Sequence, residues 1–244
     1  MVAAAPAVLN SPDVTHRTRI KICGVCRPED ALLAAEAGAD AIGIVFHESS
    51  ARYVVPDRAR EILAALPPFV TPVGLFVDAG VDTVVDTARR LGLRHVQFNG
   101  HETLEQIRAV APLTVIKAIR VERGRFTGLL AELRDAIERL HVTNLAGFVL
   151  ETAGTDKPGG TGVANDWEAV IEARRAGAFK GLPPIIAAGG LKPETVGGVV
   201  RTVRPFAVDV SSGVEESLKV KSEAKIRAFV AAVREADTDV DGAQ

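Results

Sequence analysis

Short runs of β-branched and other apolar residues recur along the chain, and a segment with helical periodicity follows each. The strand-like runs are Arg19–Cys23, Ala39–Phe46, Thr71–Val77, His95–Phe98, Thr114–Ile119, Gly147–Glu151, Pro184–Ala188 and Phe206–Ser211. The helical segments are Pro28–Ala37, Pro56–Leu66, Asp82–Leu91, Glu102–Val110, Phe126–Leu140, Asp166–Arg175, Pro193–Val203 and Ser222–Glu235. Apolar positions repeat near a period of 3.6 in these segments, whereas the strand runs are short and bounded by turn residues. Several helices open on Pro or an acidic residue, which suits a first turn whose N–H groups point at no partner. Gly38 follows the first helix as a C-terminal cap.

Eight strand–helix units in succession predict a parallel sheet built by right-handed crossovers, and eight strands close most economically into a single (β/α)8 TIM barrel. Periodicity alone leaves an open doubly wound sheet as the alternative. The barrel is expected over residues 19–236, between a flexible N-terminal tail (1–18) and a flexible C-terminal tail (237–244).

Composition narrows the function. The chain has 244 residues, of which 47% are hydrophobic and only 5% aromatic, so aliphatic side chains must fill the core. A formal net charge of -2 without a long basic stretch argues against a nucleic-acid partner, which needs a basic surface to displace counterions. No apolar run reaches membrane-spanning length, and the first residues lack the basic start and apolar stretch of a signal peptide. A cytoplasmic protein without a membrane partner is expected. The 2 cysteines, Cys23 and Cys26, are too few for a structural zinc site or a disulfide framework, and no metal or cofactor is expected.

In such a barrel the chemistry belongs at the C-terminal ends of the strands. Ala188-Gly189-Gly190 and Ser211-Ser212-Gly213 end the last two strands, where backbone N–H groups often hold a phosphate. Gly159-Gly160-Thr161-Gly162 follows strand six and can close over the same ligand. Cys23 ends the first strand. A thiol there either packs as a small buried group or, next to a cation, ionises and removes a carbon-bound proton. The C-x-x-C spacing with Cys26 also admits a redox reading. Glu151 follows Phe148-Val149-Leu150, surroundings in which a carboxyl can stay protonated and act as a general acid. Arg52 can clamp a carboxylate through its planar fork. Asp209, inside Val208-Asp209-Val210, is read as a tie within the barrel interior or to a neighbouring loop.

Several of these residues sit in longer motifs. Lys21-Ile22-Cys23-Gly24, Ser50-Ala51-Arg52-Tyr53-Val54, Val96-Gln97-Phe98-Asn99-Gly100, Ala188-Gly189-Gly190-Leu191 and Val208-Asp209-Val210-Ser211-Ser212-Gly213-Val214-Glu215 appear in this order. Together with Gly159-Gly160-Thr161-Gly162 they resemble the phosphoribosylanthranilate isomerase family over nearly all of residues 19–235. The resemblance implies a cofactor-free barrel that performs an Amadori rearrangement of a phosphoribosyl aminobenzoate, a step of tryptophan synthesis. It implies Cys23 as base, Glu151 as acid in place of the family's aspartate, and Arg52 on the anthranilate carboxylate. Phosphate would lie on Gly160, Gly189, Gly190, Ser212 and Gly213, with Asn99 and Asp209 as further substrate-binding residues. Asn99 replaces a usual histidine, and Ser217–Ser222 replaces a usual proline-glycine and lysine-aspartate segment. These departures keep two alternatives open: a divergent paralogue acting on a related phosphorylated sugar or aromatic glycoside, and a non-catalytic phosphosugar-binding barrel. Monomer and homodimer are equally compatible with the sequence.

Overall fold

The computed structural model of the chain describes residues 17–152 and 167–241. Eight parallel strands close on themselves: β1 (Arg19–Ile22), β2 (Ala41–Val45), β3 (Thr71–Phe76), β4 (His95–Phe98), β5 (Thr114–Val121), β6 (Leu145–Thr152), β7 (Ile185–Ala187) and β8 (Ala207–Val210). The pairing of β1 with both β2 and β8 completes the barrel and rules out the open sheet. Around it run α1 (Pro28–Glu36), α2 (Pro56–Ala64), α3 (Val81–Leu91), α4 (Leu104–Ala109), α5 (Phe126–Arg139), α6 (Trp167–Arg175), α7 (Pro193–Val203) and α8 (Glu223–Asp241). Among the described residues no helix is long and apolar enough to cross a membrane.

Strand side chains alternate between two environments, as the pleat requires. Ile20, Ile22, Leu150, Ile185, Ala187 and Val208 join the large apolar layer beneath the helices. Their neighbours Val149, Ile186, Ala188 and Ala207 form a separate cluster, and Cys23, Val45 and Leu75 form another. Polar residues that share the period of these inner positions therefore converge inside the barrel mouth. Register places Lys21 beside Asp209 on β1 and β8, and Arg120 beside Glu151 on β5 and β6.

Three details differ from the sequence reading. The fourth helix begins at Leu104, because Thr103 caps it in a reciprocal capping box with Gln106. Glu102, expected inside that helix, instead accepts the N–H groups of Asp78 (2.8 Å) and Gly100 (2.9 Å) and pairs with Lys117 (3.0 Å). The last helix runs on through residues 237–241, because buried Asp237 accepts both the N–H and the hydroxyl of Thr18; the expected tail is helical there. Finally, Glu215–Ser217 (β9) and Val220–Lys221 (β10) form a small antiparallel hairpin. Lys219 adopts φ 68 at its turn, so a residue other than glycine takes the left-handed conformation there.

Candidate active site

Cys23 directly follows β1, and its N–H donates to Val210 O at 2.8 Å, which ties the end of β1 to β8. Two residues earlier on the same face, Lys21 sends Nζ to both carboxylate oxygens of Asp209, each at 2.9 Å. Both partners are over nine-tenths buried. The ammonium also acts on the Cys23 thiol, favouring its ionised form. Gly43 on β2 makes room for this pair: a Cβ there would lie 2.8 Å from Sγ of Cys23 and 3.2 Å from Nζ of Lys21.

Burial pushes the Cys23 thiol above its ordinary value, Lys21 pulls it back, and the net direction is upward. Burial would depress the Lys21 ammonium, yet Asp209, helped by Cys23, holds it above the ordinary lysine value. The expected neighbouring cation is therefore present, but it offsets desolvation only in part.

Glu151 lies on β6, across the barrel mouth. Burial raises its carboxyl above the ordinary range and Asp209 adds to the shift, while Lys117, Arg120 and Lys21 oppose it. Its Oε1 accepts a hydrogen bond from Nδ2 of Asn99 at 2.6 Å. Asn99 Oδ1 in turn accepts from Nε2 of Gln97 at 2.7 Å. Asn99 and Glu151, each read from the sequence as a departure from the resembled motifs, thus touch each other. Lys21 and Asp209 act electrostatically on both Cys23 and Glu151, so base and acid candidates share one field.

Arg52 was expected to offer its fork to a substrate carboxylate. In the structure Nε and Nη2 already hold the two oxygens of Glu215, each at 2.7 Å, which leaves the Nη1 side for a ligand. Glu215 also accepts from Lys221 Nζ at 3.2 Å, and Lys221 donates to Ser211 O at 3.0 Å. The β9–β10 hairpin thus delivers a buried lysine that braces the carboxylate orienting Arg52. Burial lowers the Lys221 ammonium, and Glu215 resists that shift.

The loops after β7 and β8 meet. A Cβ on Gly213 would stand 2.0 Å from Leu191 O, so only glycine permits this contact. Gly189 and Gly190 both have positive φ, and no described residue accepts their N–H groups. Ser212 and Gly213 open a short 3-10 turn, Ser212–Val214, beside them. Gly160 and its run lie outside the described residues.

Cys26 is a free thiol facing the carbonyls of Gly24 (3.6 Å) and Arg52 (3.5 Å), in the helix-side layer, while Cys23 packs in the inner cluster. The two sulfurs of the C-x-x-C thus occupy different environments. Among the described residues no group of His, Cys, Asp and Glu could hold a metal ion.

Sequence reading missed Lys21, Gln97, Lys221 and the Lys117–Glu102 pair as site residues. Parity could have found two of them. Lys21 and Gln97 each stand two positions before a flagged rim residue, hence on the same face of a buried strand.

The geometry agrees with three comparisons. The family model described as N-(5'phosphoribosyl)anthranilate (PRA) isomerase matches residues 20–232. The N-(5'-phosphoribosyl)anthranilate isomerase of Herminiimonas arsenicoxydans is 44% identical over 228 residues, 91% of this chain and 95% of its own. The crystal structure of phosphoribosyl anthranilate isomerase from Thermotoga maritima superposes with a TM-score of 0.77 at 36% identity, covering 89% of this chain and 99% of the other. A phosphoribosyl anthranilate isomerase solved with reduced 1-(O-carboxyphenylamino)-1-deoxyribulose 5-phosphate gives a TM-score of 0.75 at 35% identity, with the same coverage. A barrel closed with this strand order, a thiol and a carboxyl at the C-terminal ends of its strands, and matches over about nine-tenths of its length place the chain in the N-(5'-phosphoribosyl)anthranilate isomerase family, aldose–ketose isomerases of tryptophan biosynthesis.

Proposed function

We propose that this site isomerises N-(5'-phosphoribosyl)anthranilate with Glu151 as general acid and Cys23 as general base. One observation carries the assignment: Cys23, directly after β1, and Glu151, near the end of β6, lie at the same end of the barrel, where the Lys21–Asp209 pair acts on both. Glu151 protonates the furanose oxygen, the ring C–O bond breaks, and an iminium forms at C1′. The Cys23 thiolate then removes the proton from C2′, whose electrons neutralise the iminium to give an enolamine. The enolamine gains a proton at C1′ and loses the one on the C2′ oxygen, leaving the ketone. A cationic intermediate beside Cys23 favours the thiolate when it is needed.

The ligand of the related structure carries a phosphate and an aromatic carboxylate. We infer that the corresponding groups here meet the N–H groups of Gly189, Gly190, Ser212 and Gly213 and the Nη1 side of Arg52. Gly160 remains a candidate for the same phosphate. Asp209 has both oxygens on Lys21, so its part is to hold that cation instead of binding substrate.

Turnover of N-(5'-phosphoribosyl)anthranilate by the purified protein, followed as loss of anthranilate-type fluorescence, tests the assignment. Activity that collapses in Glu151→Gln and in Cys23→Ser supports it. Wild-type turnover in Glu151→Gln would remove Glu151 from the acid role.

A further inference from the structure

Glu151 is held by neutral groups. The Asn99 amide donates to Oε1, and the Gln97 amide donates to Asn99. The direction of this chain is set at its end, because Oε1 of the carboxyl can only accept, whether the group is ionised or carries its proton on Oε2. Asn99 must therefore turn Nδ2 to Glu151 and Oδ1 to Gln97, and Gln97 must turn Nε2 to Asn99. The consequence is visible on Gln97: it is 1% exposed, and its Oε1 has no hydrogen-bond partner. A buried carbonyl oxygen without a partner is uncommon and here marks an amide committed in one direction. Gln97 and Asn99 stand two apart on and just after β4, on one face, so the strand aims both at Glu151. The segment beyond is fixed as well. Lys117 Nζ donates to Gly100 O at 2.6 Å and to Glu102, which holds the Gly100 N–H. No described residue donates to Oε2 of Glu151.

We propose that Gln97 and Asn99 form a directional amide relay that occupies Oε1 of Glu151 and leaves Oε2 to carry the proton given to the substrate, which makes Asn99 a positioning residue for the acid. This rests on Glu151 being the acid. The relay orients the carboxyl without placing a cation against it, so its grip does not strip the proton that the reaction needs. It also accounts for the longer side chain at this position: glutamate reaches to where a short asparagine, anchored from behind by Gln97, can hold it.

The test is a double-mutant cycle in the full-length enzyme, with kcat, KM and the pH profile measured for Asn99→Leu, Asn99→Asp, Gln97→Leu, Glu151→Gln and Asn99→Leu/Glu151→Gln. Asn99→Leu is expected to lower kcat on the order of tenfold to a hundredfold, since misplacing a catalytic group by about 1 Å has that effect. KM should stay within about threefold, because no binding contact is removed. Loss of the donor disfavours the carboxylate, so the acid limb of the profile moves to higher pH. It moves further in Asn99→Asp, which keeps the size of the side chain, sets an acceptor against an acceptor, and stands in if the leucine variant does not fold. Gln97→Leu shows the same signature, smaller. In the Glu151→Gln background Asn99→Leu should add no further loss, since it acts only through the carboxyl. Additive losses with a raised KM would overturn the relay and make Asn99 a substrate contact, and unchanged kcat in Asn99→Leu and Asn99→Asp would also overturn it. Full activity in Glu151→Gln would instead remove the acid assignment itself, and the relay with it.

Discussion

The two sides of the barrel mouth solve opposite problems. On the β1–β8 side a thiol must ionise, and it is served by charge: Lys21 on the same face of β1 favours the thiolate, and Asp209 holds Lys21. On the β4–β6 side a carboxyl must keep a proton, and it is held by amides. Lys117, Arg120 and Lys21 pull toward the carboxylate, yet none outweighs burial, and a cation hydrogen-bonded to Glu151 in place of Asn99 would favour the carboxylate further. The negative charge of Asp209, which offsets Lys21 on one side, raises Glu151 on the other. Burial raises both groups, and the ion pair tilts them differently: Lys21 outweighs Asp209 at Cys23, whereas Asp209 outweighs Lys21 at Glu151.

This contrast can be broken most severely at the reacting groups. Cys23→Ser and Glu151→Gln should each lower kcat by roughly 10²- to 10⁴-fold, the usual contribution of a positioned acid or base, measured by the fluorescence assay. Next in size is the ion pair. Lys21→Met strands buried Asp209 and should destabilise the fold by about 3–5 kcal/mol in denaturant unfolding, with most of the loss restored by adding Asp209→Asn. Gly43→Ala attacks geometry without touching charge. Its methyl would force Cys23 and Lys21 apart, and a kcat loss of about a hundredfold with a modest stability change is expected. A charge placed on the wrong side sharpens the comparison. Asn99→Lys should move the acid limb of the pH profile to lower pH, and each tenfold change in the Glu151 acidity constant should lower the maximum rate about tenfold. The smallest effect is chemical. Because its thiol is raised, Cys23 should react with iodoacetamide several-fold more slowly than a free cysteine at neutral pH and accelerate as pH climbs past the ordinary thiol range. Rapid alkylation at pH 7 would contradict the upward direction.

The barrel was legible because alternating strand and helix periods leave few topologies, and Gly38, Pro28 and Pro193 punctuate the helices where they fall. Rim residues were legible as polar side chains ending buried strands. What escaped depends on distance in sequence. Glu102 reads as a first-turn acid, and only the fold reveals that it holds the N–H groups of Asp78 and Gly100. Arg52 reads as an open clamp until the hairpin after β8 brings Glu215 and Lys221 onto it. The hairpin itself is too short to show a period. Asn99 and Glu151 read as two unrelated departures, although their side chains meet across 52 positions of sequence.

The most direct test is the pH dependence of kcat/KM for the wild type beside Glu151→Gln. With the carboxyl titrating below the thiol, the productive form (acid protonated, thiol ionised) is the minor partner of its tautomer. The wild-type profile is then a bell whose acid limb belongs to Glu151 and whose alkaline limb belongs to Cys23. In Glu151→Gln the acid limb should vanish, leaving a low rate that climbs with pH until Cys23 ionises. A full bell with both limbs unmoved in Glu151→Gln would contradict the assignment of acid and base to these two residues.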